Sequence, residues 1–177
     1  LPAQSIVPIP DNLNFVEAAV TLRHGPMAHN LLFDTGSLKS GEKILIMGAA
    51  GGLGITGIQL AKLAGADVIC AAGSAERVAV GMKYGANFGI NYNKENLSDC
   101  VMEYTGGKGV DLVFENISNP RTWPKAFASM KKGGRLVTAG AHGGGKVNLD
   151  CELLYHRNLK IFGTTKKTKK NICDTLK

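Results

Sequence analysis

The chain has 177 residues, 44% hydrophobic and 20% charged, which is the composition of one globular domain and excludes a disordered or coiled-coil protein. No apolar run reaches the ~18–20 residues of a membrane helix, so a soluble protein is expected. A net charge of +7 favours anionic partners in general, and composition alone does not choose between phosphate cofactors, nucleic acid and acidic lipid.

The chain begins at Leu1, with no basic stretch leading into an apolar one. It reads as an excised piece of something longer, without a signal peptide. The four cysteines, Cys70, Cys100, Cys151 and Cys173, are too widely spaced for a zinc knuckle or a CxxC redox pair. Reduced thiols and a cytoplasmic location are expected.

In chain order, residues 1–40 read as a Pro-marked extended segment followed by lead-in helices. Asn14 caps a predicted helix over Phe15–Leu22, with Glu17 as its capping-box partner. A second is predicted over Pro26–Phe33, with Pro26 in its first turn. Ser40-Gly41 then breaks the chain. Residues 41–177 alternate buried strands with helices. Strands are predicted at Lys43–Met47, Asp67–Ala72, Asn87–Asn91, Val110–Glu115, Arg135–Ala139 and Leu159–Gly163. Helices are predicted at Gly52–Ala64, Ser74–Lys83, Glu95–Tyr104, Thr122–Met130 and Leu149–Leu154. Ser74 caps the second of these and Gly85 stops it. Thr168 opens a last helix that the chain's end interrupts. Such alternation means parallel strands with right-handed crossovers: an α/β, doubly wound, six-stranded parallel sheet, the Rossmann arrangement.

The strongest motif follows the first strand, where Gly48-Ala49-Ala50-Gly51-Gly52-Leu53-Gly54 leads directly into a helix. Strict GxGxxG is absent; Ala49 takes the first glycine position, followed by Gly51 and Gly54. Gly51 allows close approach of a pyrophosphate, Gly54 allows close helix–strand packing, and the amides at the helix start bind phosphate oxygens. In an NAD site an acid ends the second strand. Here Ala72 stands at that place, followed by Gly73, Ser74 and Arg77. Ala72 does not repel a 2′-phosphate, Ser74 can donate to one, and Arg77 can pair with it, so NADP is favoured over NAD. Asp67 begins that strand, at the wrong end for a ligand. Glu76, in the helix's first turn, is read as solvated.

These residues, together with Glu17-Ala18-Ala19, Leu38–Glu42, Gly48–Ile69, Tyr84-Gly85-Ala86, Ile90-Asn91-Tyr92 and Lys132–Val137, resemble the cofactor-binding domain of the medium-chain dehydrogenase/reductases, which include zinc alcohol dehydrogenases and quinone oxidoreductases. The resemblance implies a 2′-phosphate held by Arg77 and Tyr92. It places Ile117 and Ser118 near the nicotinamide ribose, and Gly140 and Ala141 against the carboxamide. It implies a homodimer through the Leu159–Gly163 edge, a small-molecule substrate, and hydride exchange with an alcohol/carbonyl pair or an activated alkene or quinone. The family's GroES-like catalytic domain is missing from this chain, and any zinc belongs there; catalytic residues are not assigned. His24, near a late zinc ligand of some members, has no visible partner. Met27 stands where members often carry Thr.

Two alternatives from other classes are a stand-alone dinucleotide-binding module without catalysis and a basic nucleic-acid binder on the same fold. The lysines at 166, 167, 169 and 170 lack interleaved aromatics, and their position after a strand's carboxyl end could instead edge the cleft. Tyr104 and Lys108 match the Tyr-x-x-x-Lys spacing of short-chain dehydrogenases but flank Gly106-Gly107, ahead of the fourth strand.

Overall fold

The structure, a computed structural model, describes residues 6–176; the first five residues of the expected extended segment, including Pro2, and Lys177 lie outside it. Six strands form one all-parallel sheet: β1 (Lys43–Met47), β2 (Asp67–Ala72), β3 (Phe88–Asn91), β4 (Val110–Glu115), β5 (Met130–Thr138) and β6 (Lys160–Gly163). Their spatial order is β3-β2-β1-β4-β5-β6. The chain winds outward from β1 in one direction, then returns to start again at β4. Between the carboxyl ends of β1 and β4 lies the switch point, where ligands bind in such sheets.

The strands read as apolar runs because both faces are covered. Ile44 and Ile46 pack with Leu31, Leu32, Ile58 and Phe114 on one side. Leu45 and Met47 pack with Ile90, Leu97, Trp123 and Phe127 on the other. Helix α1 (Phe15–His29) and α2 (Gly52–Leu63) cover the first face; α4 (Leu97–Tyr104) and α5 (Trp123–Ala128) cover the second. Helices α3 (Ala75–Lys83), α6 (Cys151–His156) and α7 (Lys169–Thr175) complete the fold. Among the described residues no helix is long and apolar enough to cross a membrane.

The predicted pair of lead-in helices is corrected to one. The capping box of Asn14 and Glu17 forms, but α1 runs unbroken through Gly25-Pro26 to His29 and continues as π-helical turns over Asn30–Thr35. Pro26 removes one helical hydrogen bond and should break the helix. Packing with the end of the chain offsets this. A Cβ on Gly25 would lie 2.2 Å from Thr175 Cγ2, so α1 and α7 meet where only glycine fits. Buried Asn171 of α7 donates from Nδ2 to Asp34 Oδ2 at 2.6 Å and lies 3.2 Å from His29 Nδ1. Its Oδ1 accepts from the Thr168 amide at 2.9 Å. Asn171→Ala removes these bonds, leaving Asp34 to the Asn30 amide alone, and is expected to cost about 2 kcal/mol. Urea unfolding measures it; an unchanged midpoint would mean that α7 does not anchor α1.

The fifth strand begins at Met130, not Arg135, and the preceding helix stops at Ala128. Val110 pairs with Met130, and the register shifts before Leu112 pairs with Arg135, so Lys131–Gly134 form an irregularity within the strand. Gly133, at φ +76°, makes the turn possible. The predicted helix at Leu149–Leu154 is displaced to Cys151–His156, with Asp150 as its cap.

Asp67 and Tyr104 lie together at the amino edge of the sheet, away from the switch point. The Tyr104 hydroxyl donates to Asp67 Oδ1 at 2.8 Å, and Lys43 pairs with the same carboxylate. Burial opposes the Asp67 charge, but Lys43 and Tyr104 outweigh it and hold the carboxyl below its ordinary range. Burial, with the Asp67 bond, pushes the Tyr104 phenol up to about 12. Bonded to Asp67 at the amino edge, the phenol serves as a structural donor away from the switch point, which argues against the short-chain dehydrogenase match.

Candidate functional site

A cleft opens over the carboxyl ends of β1, β2 and β4, in three parts of about 370, 360 and 270 Å³ that share walls. The central part lies on Gly48, Gly51 and Asn116. One flank, toward β2 and β3, is walled by Ser74, Arg77 and Tyr92. The other is walled by His24, Met27 and Lys167. Among the described residues no Asp or Glu lines any of the three parts, and the charged side chains that do are basic. That is an environment for an anion.

The glycine turn makes the floor. Gly48 takes φ +74°, and its amide and that of Ala49 both donate to Ala71 O, at 2.9 and 3.1 Å. The chain thereby reverses directly off β1. Gly51 closes the turn onto Gly48 O at 2.9 Å and starts α2, whose first bond is Ile55 N–H to Gly51 O at 2.8 Å. The amides of Gly52, Leu53 and Gly54 precede that bond, so α2 has no internal acceptor for them and they stand at the positive end of its dipole. A Cβ on Gly54 would lie 2.2 Å from Gly48 O, whereas one on Gly51 would meet only that oxygen, at 3.4 Å. Gly54 is thus needed for packing, and Gly51 leaves open space toward the cleft.

At the end of β2, Ala72 and Gly73 face the cleft. Ser74 caps α3 by accepting from the Arg77 amide at 3.4 Å, and the exposed Arg77 side chain lines both the central part and the flank. Tyr92 stands beside them, its hydroxyl 3.3 Å from where a Cβ on Gly73 would be. The Ser74 hydroxyl and the amide of Glu76 itself hold the Glu76 carboxyl below its ordinary range, and its side chain is exposed.

The loop after β4 has a buried acid beneath it. Glu115 is fully buried and accepts from the amides of Ile117 at 3.1 Å and Ser118 at 2.9 Å. These bonds hold Ser118 in the left-handed region at φ +52°, and its hydroxyl donates to Gly140 O at 2.7 Å. Burial pushes the Glu115 carboxyl up, against the pull of the Ser118 and Ile117 amides. A carboxyl raised on folding favours the protonated state, so stability should fall as pH rises from the ordinary Glu value through the raised one. Glu115→Gln is expected to flatten that part of the profile in urea titrations between pH 4 and 8; an unchanged slope would contradict the assignment.

Of the residues singled out from sequence, Gly51, Gly52, Leu53, Gly54, Gly73, Ser74, Arg77, Tyr92, Ile117 and Gly140 line the three-part cleft. Three do not. Ala49 is fully buried in the core beneath the turn. Ser118 and Ala141 face an adjoining depression beyond Gly140, near Thr164.

Sequence reasoning missed Asn116, His142 and Arg23. Asn116 follows β4, is 8% exposed, and its Nδ2 has no hydrogen-bond partner among the described residues. It stands between the central part and the His24 flank, a buried donor left over. His24 lies against Gly52, and a Cβ there would come 2.5 Å from its ring. Burial first, then Arg23 and Lys167, push the His24 imidazole below its ordinary range. A ring among cations is poorly placed to bind another, and among the described residues no three His, Cys, Asp or Glu side chains converge. Lys167 places the lysine run at the edge of the cleft, one of the two positions open to it from sequence.

Comparison with known proteins agrees with the fold. Residues 52–175 match the zinc-binding dehydrogenase family. Quinone oxidoreductase 1 of Escherichia coli (strain K12) is 32% identical over 146 residues, 82% of this chain and 44% of that protein. The crystal structure of an NAD-dependent alcohol dehydrogenase superimposes with TM-score 0.90 at 30% identity, covering 99% of this chain and 51% of that one. Escherichia coli quinone oxidoreductase complexed with NADPH superimposes with TM-score 0.85 at 28% identity, covering 96% of this chain and 53% of that one. The chain thus spans about half the length of the relatives it matches. It belongs to the zinc-binding dehydrogenase family.

Proposed function

We propose that this chain is the NADP(H)-binding half of a medium-chain oxidoreductase. The observation that carries the reading is the sign of the cleft. Where an NAD site needs a carboxylate at the end of β2, Ala72 faces the space, Arg77 flanks it, and no acid among the described residues lines it. The relatives include both an NAD-dependent enzyme and an NADPH complex, so the choice rests on these residues.

The residues suit the parts of a dinucleotide. The open side of Gly51 and the amides of Gly52–Gly54 would take the pyrophosphate, with Arg23 and Lys167 as neighbouring cations. Arg77, Ser74 and Tyr92 would hold the 2′-phosphate. The unpaired Asn116 Nδ2 would donate toward the nicotinamide half, beside Ile117, with Ser118, Gly140 and Ala141 further along that side. When bound, the nicotinamide supplies hydride; the chain's own part is to fix its orientation and keep one face open toward the substrate. The substrate would be an alcohol/carbonyl pair or an activated alkene or quinone, shaped in the intact enzyme by a second domain that also holds any zinc.

Assembly as a homodimer belongs to the same proposal. Strand β6 is the free edge beyond β5, and Phe162 on it is 38% exposed. Such an edge can pair with its twin.

Amide shift mapping by NMR tests the site. NADPH should move Gly51–Gly54, Arg77, Tyr92 and the Asn116 side-chain amide. Shifts confined to the lysines at 166–170, or no shifts at saturating cofactor, would contradict it. Alone, this chain should show little or no turnover; robust turnover would contradict the assignment of substrate binding to a second domain.

A further inference from the structure

The flank of the cleft beyond Arg77 has a second wall that the sequence does not announce. It comes from the loop after β4, across the switch point. Arg121 lines the same 360 Å³ space as Arg77, Ser74 and Tyr92. Its position is set by two hydrogen bonds: its amide donates to Asn119 Oδ1 at 2.8 Å, and its Nη2 donates to Asn93 Oδ1 at 3.1 Å. Asn93 in turn donates from Nδ2 to Gly73 O at 2.7 Å. Arg121 is therefore tied to the turn that ends β2, although it follows β4 in sequence. Beside it Thr122, 5% exposed, has a buried hydroxyl without a hydrogen-bond partner among the described residues, in the lining of the same space.

Two arginines lining one small space, with no carboxylate in its lining among the described residues, repel each other, and an anion between them would relieve this. The unpartnered Thr122 hydroxyl adds a donor that protein atoms leave unused. A phosphomonoester, with about two negative charges and three acceptor oxygens, fits both observations.

We infer that Arg121 and Thr122 form the far side of a clamp for the ribose 2′-phosphate, opposite Arg77, Ser74 and Tyr92. This rests on the NADP(H) reading above and extends it with a second specificity-determining arginine. The Asn93 bond holds the guanidinium before the cofactor arrives, so less side-chain freedom is lost on binding.

Arg121 is exposed, so its replacement should leave the fold intact. The test titrates the full chain and its Arg121→Gln and Arg121→Lys variants with NADPH and with NADH. Arg121→Gln should weaken NADPH roughly 10- to 100-fold and NADH less than about twofold. Arg121→Lys should recover part of the loss, because the charge remains but the planar fork is gone. Unchanged NADPH affinity would overturn the inference. Equal losses for both cofactors would also overturn it, placing Arg121 against the adenosine common to the two. These outcomes leave the parent reading standing if the unmodified chain still prefers NADPH. An unmodified chain that binds NADH as tightly as NADPH would overturn both.

Discussion

Alanine at Gly54 is expected to cost the fold about 3 kcal/mol and to abolish dinucleotide binding. The sign is opposite to that expected in an ordinary helix, where Gly→Ala gains up to about 1 kcal/mol. The reason is the 2.2 Å between a Cβ at this position and the backbone oxygen of Gly48, which has no rotamer by which to move aside. The strain would push α2 away from β1 and displace the first-turn amides together. Alanine at Gly51 is the control. Its Cβ meets one atom at 3.4 Å, so stability should hardly change while the space toward the cleft is filled. Urea unfolding and cofactor titration of both variants separate the two roles. Equal stability of the Gly54 variant and the unmodified chain would contradict the packing account.

Charge reversal at Arg77 should have the largest effect on cofactor choice. A charge-assisted hydrogen bond contributes about 1.5–3 kcal/mol, so its loss alone weakens NADPH roughly 10- to 100-fold. Arg77→Glu adds repulsion toward a 2′-phosphate and places a carboxylate near where an NAD site has one. NADPH affinity should fall by more than about 100-fold while NADH is kept or gains. Arg77 is exposed at the first turn of α3, and its backbone, not its side chain, bonds Ser74, so the cap should survive. Calorimetry of variant and unmodified chain with each cofactor gives the result. A variant that loses both equally would place Arg77 on the pyrophosphate, and one that loses neither would make it a solvated surface residue.

The sheet was legible because its central strands are buried on both faces. Ile44–Met47 and Val110–Glu115 are almost wholly buried, so the chain shows apolar runs where an open sheet would alternate. Glycines announced the turn because each has a distinct steric reason to be there. The lead-in helix was misread for a matching reason: Gly25-Pro26 is a local stop signal, and what overrides it, Thr175 and Asn171, comes from the opposite end of the chain. The early start of β5 was hidden because Lys131–Gly134 read locally as a turn, and pairing of Met130 with Val110 makes it strand.

The site shows the same division. Arg77 and Ser74 could be picked out because they follow β2 directly, at the distance where a ribose is expected. Asn116, Arg121 and Thr122 follow β4 and reach the cleft only because the strand order reverses at β1. Nothing local marks Asn116 as a buried donor without a partner; that depends on how the loop over Glu115 closes. Lys167 shows that a charge run can be part solvated helix start and part cleft wall, which composition does not separate.

The most direct measurement is calorimetric titration of the unmodified chain with NADPH and, separately, NADH under identical salt. Saturable binding of NADPH is expected, at least about tenfold tighter than NADH. NADH bound as tightly as NADPH, or neither bound while the chain is folded, would contradict it.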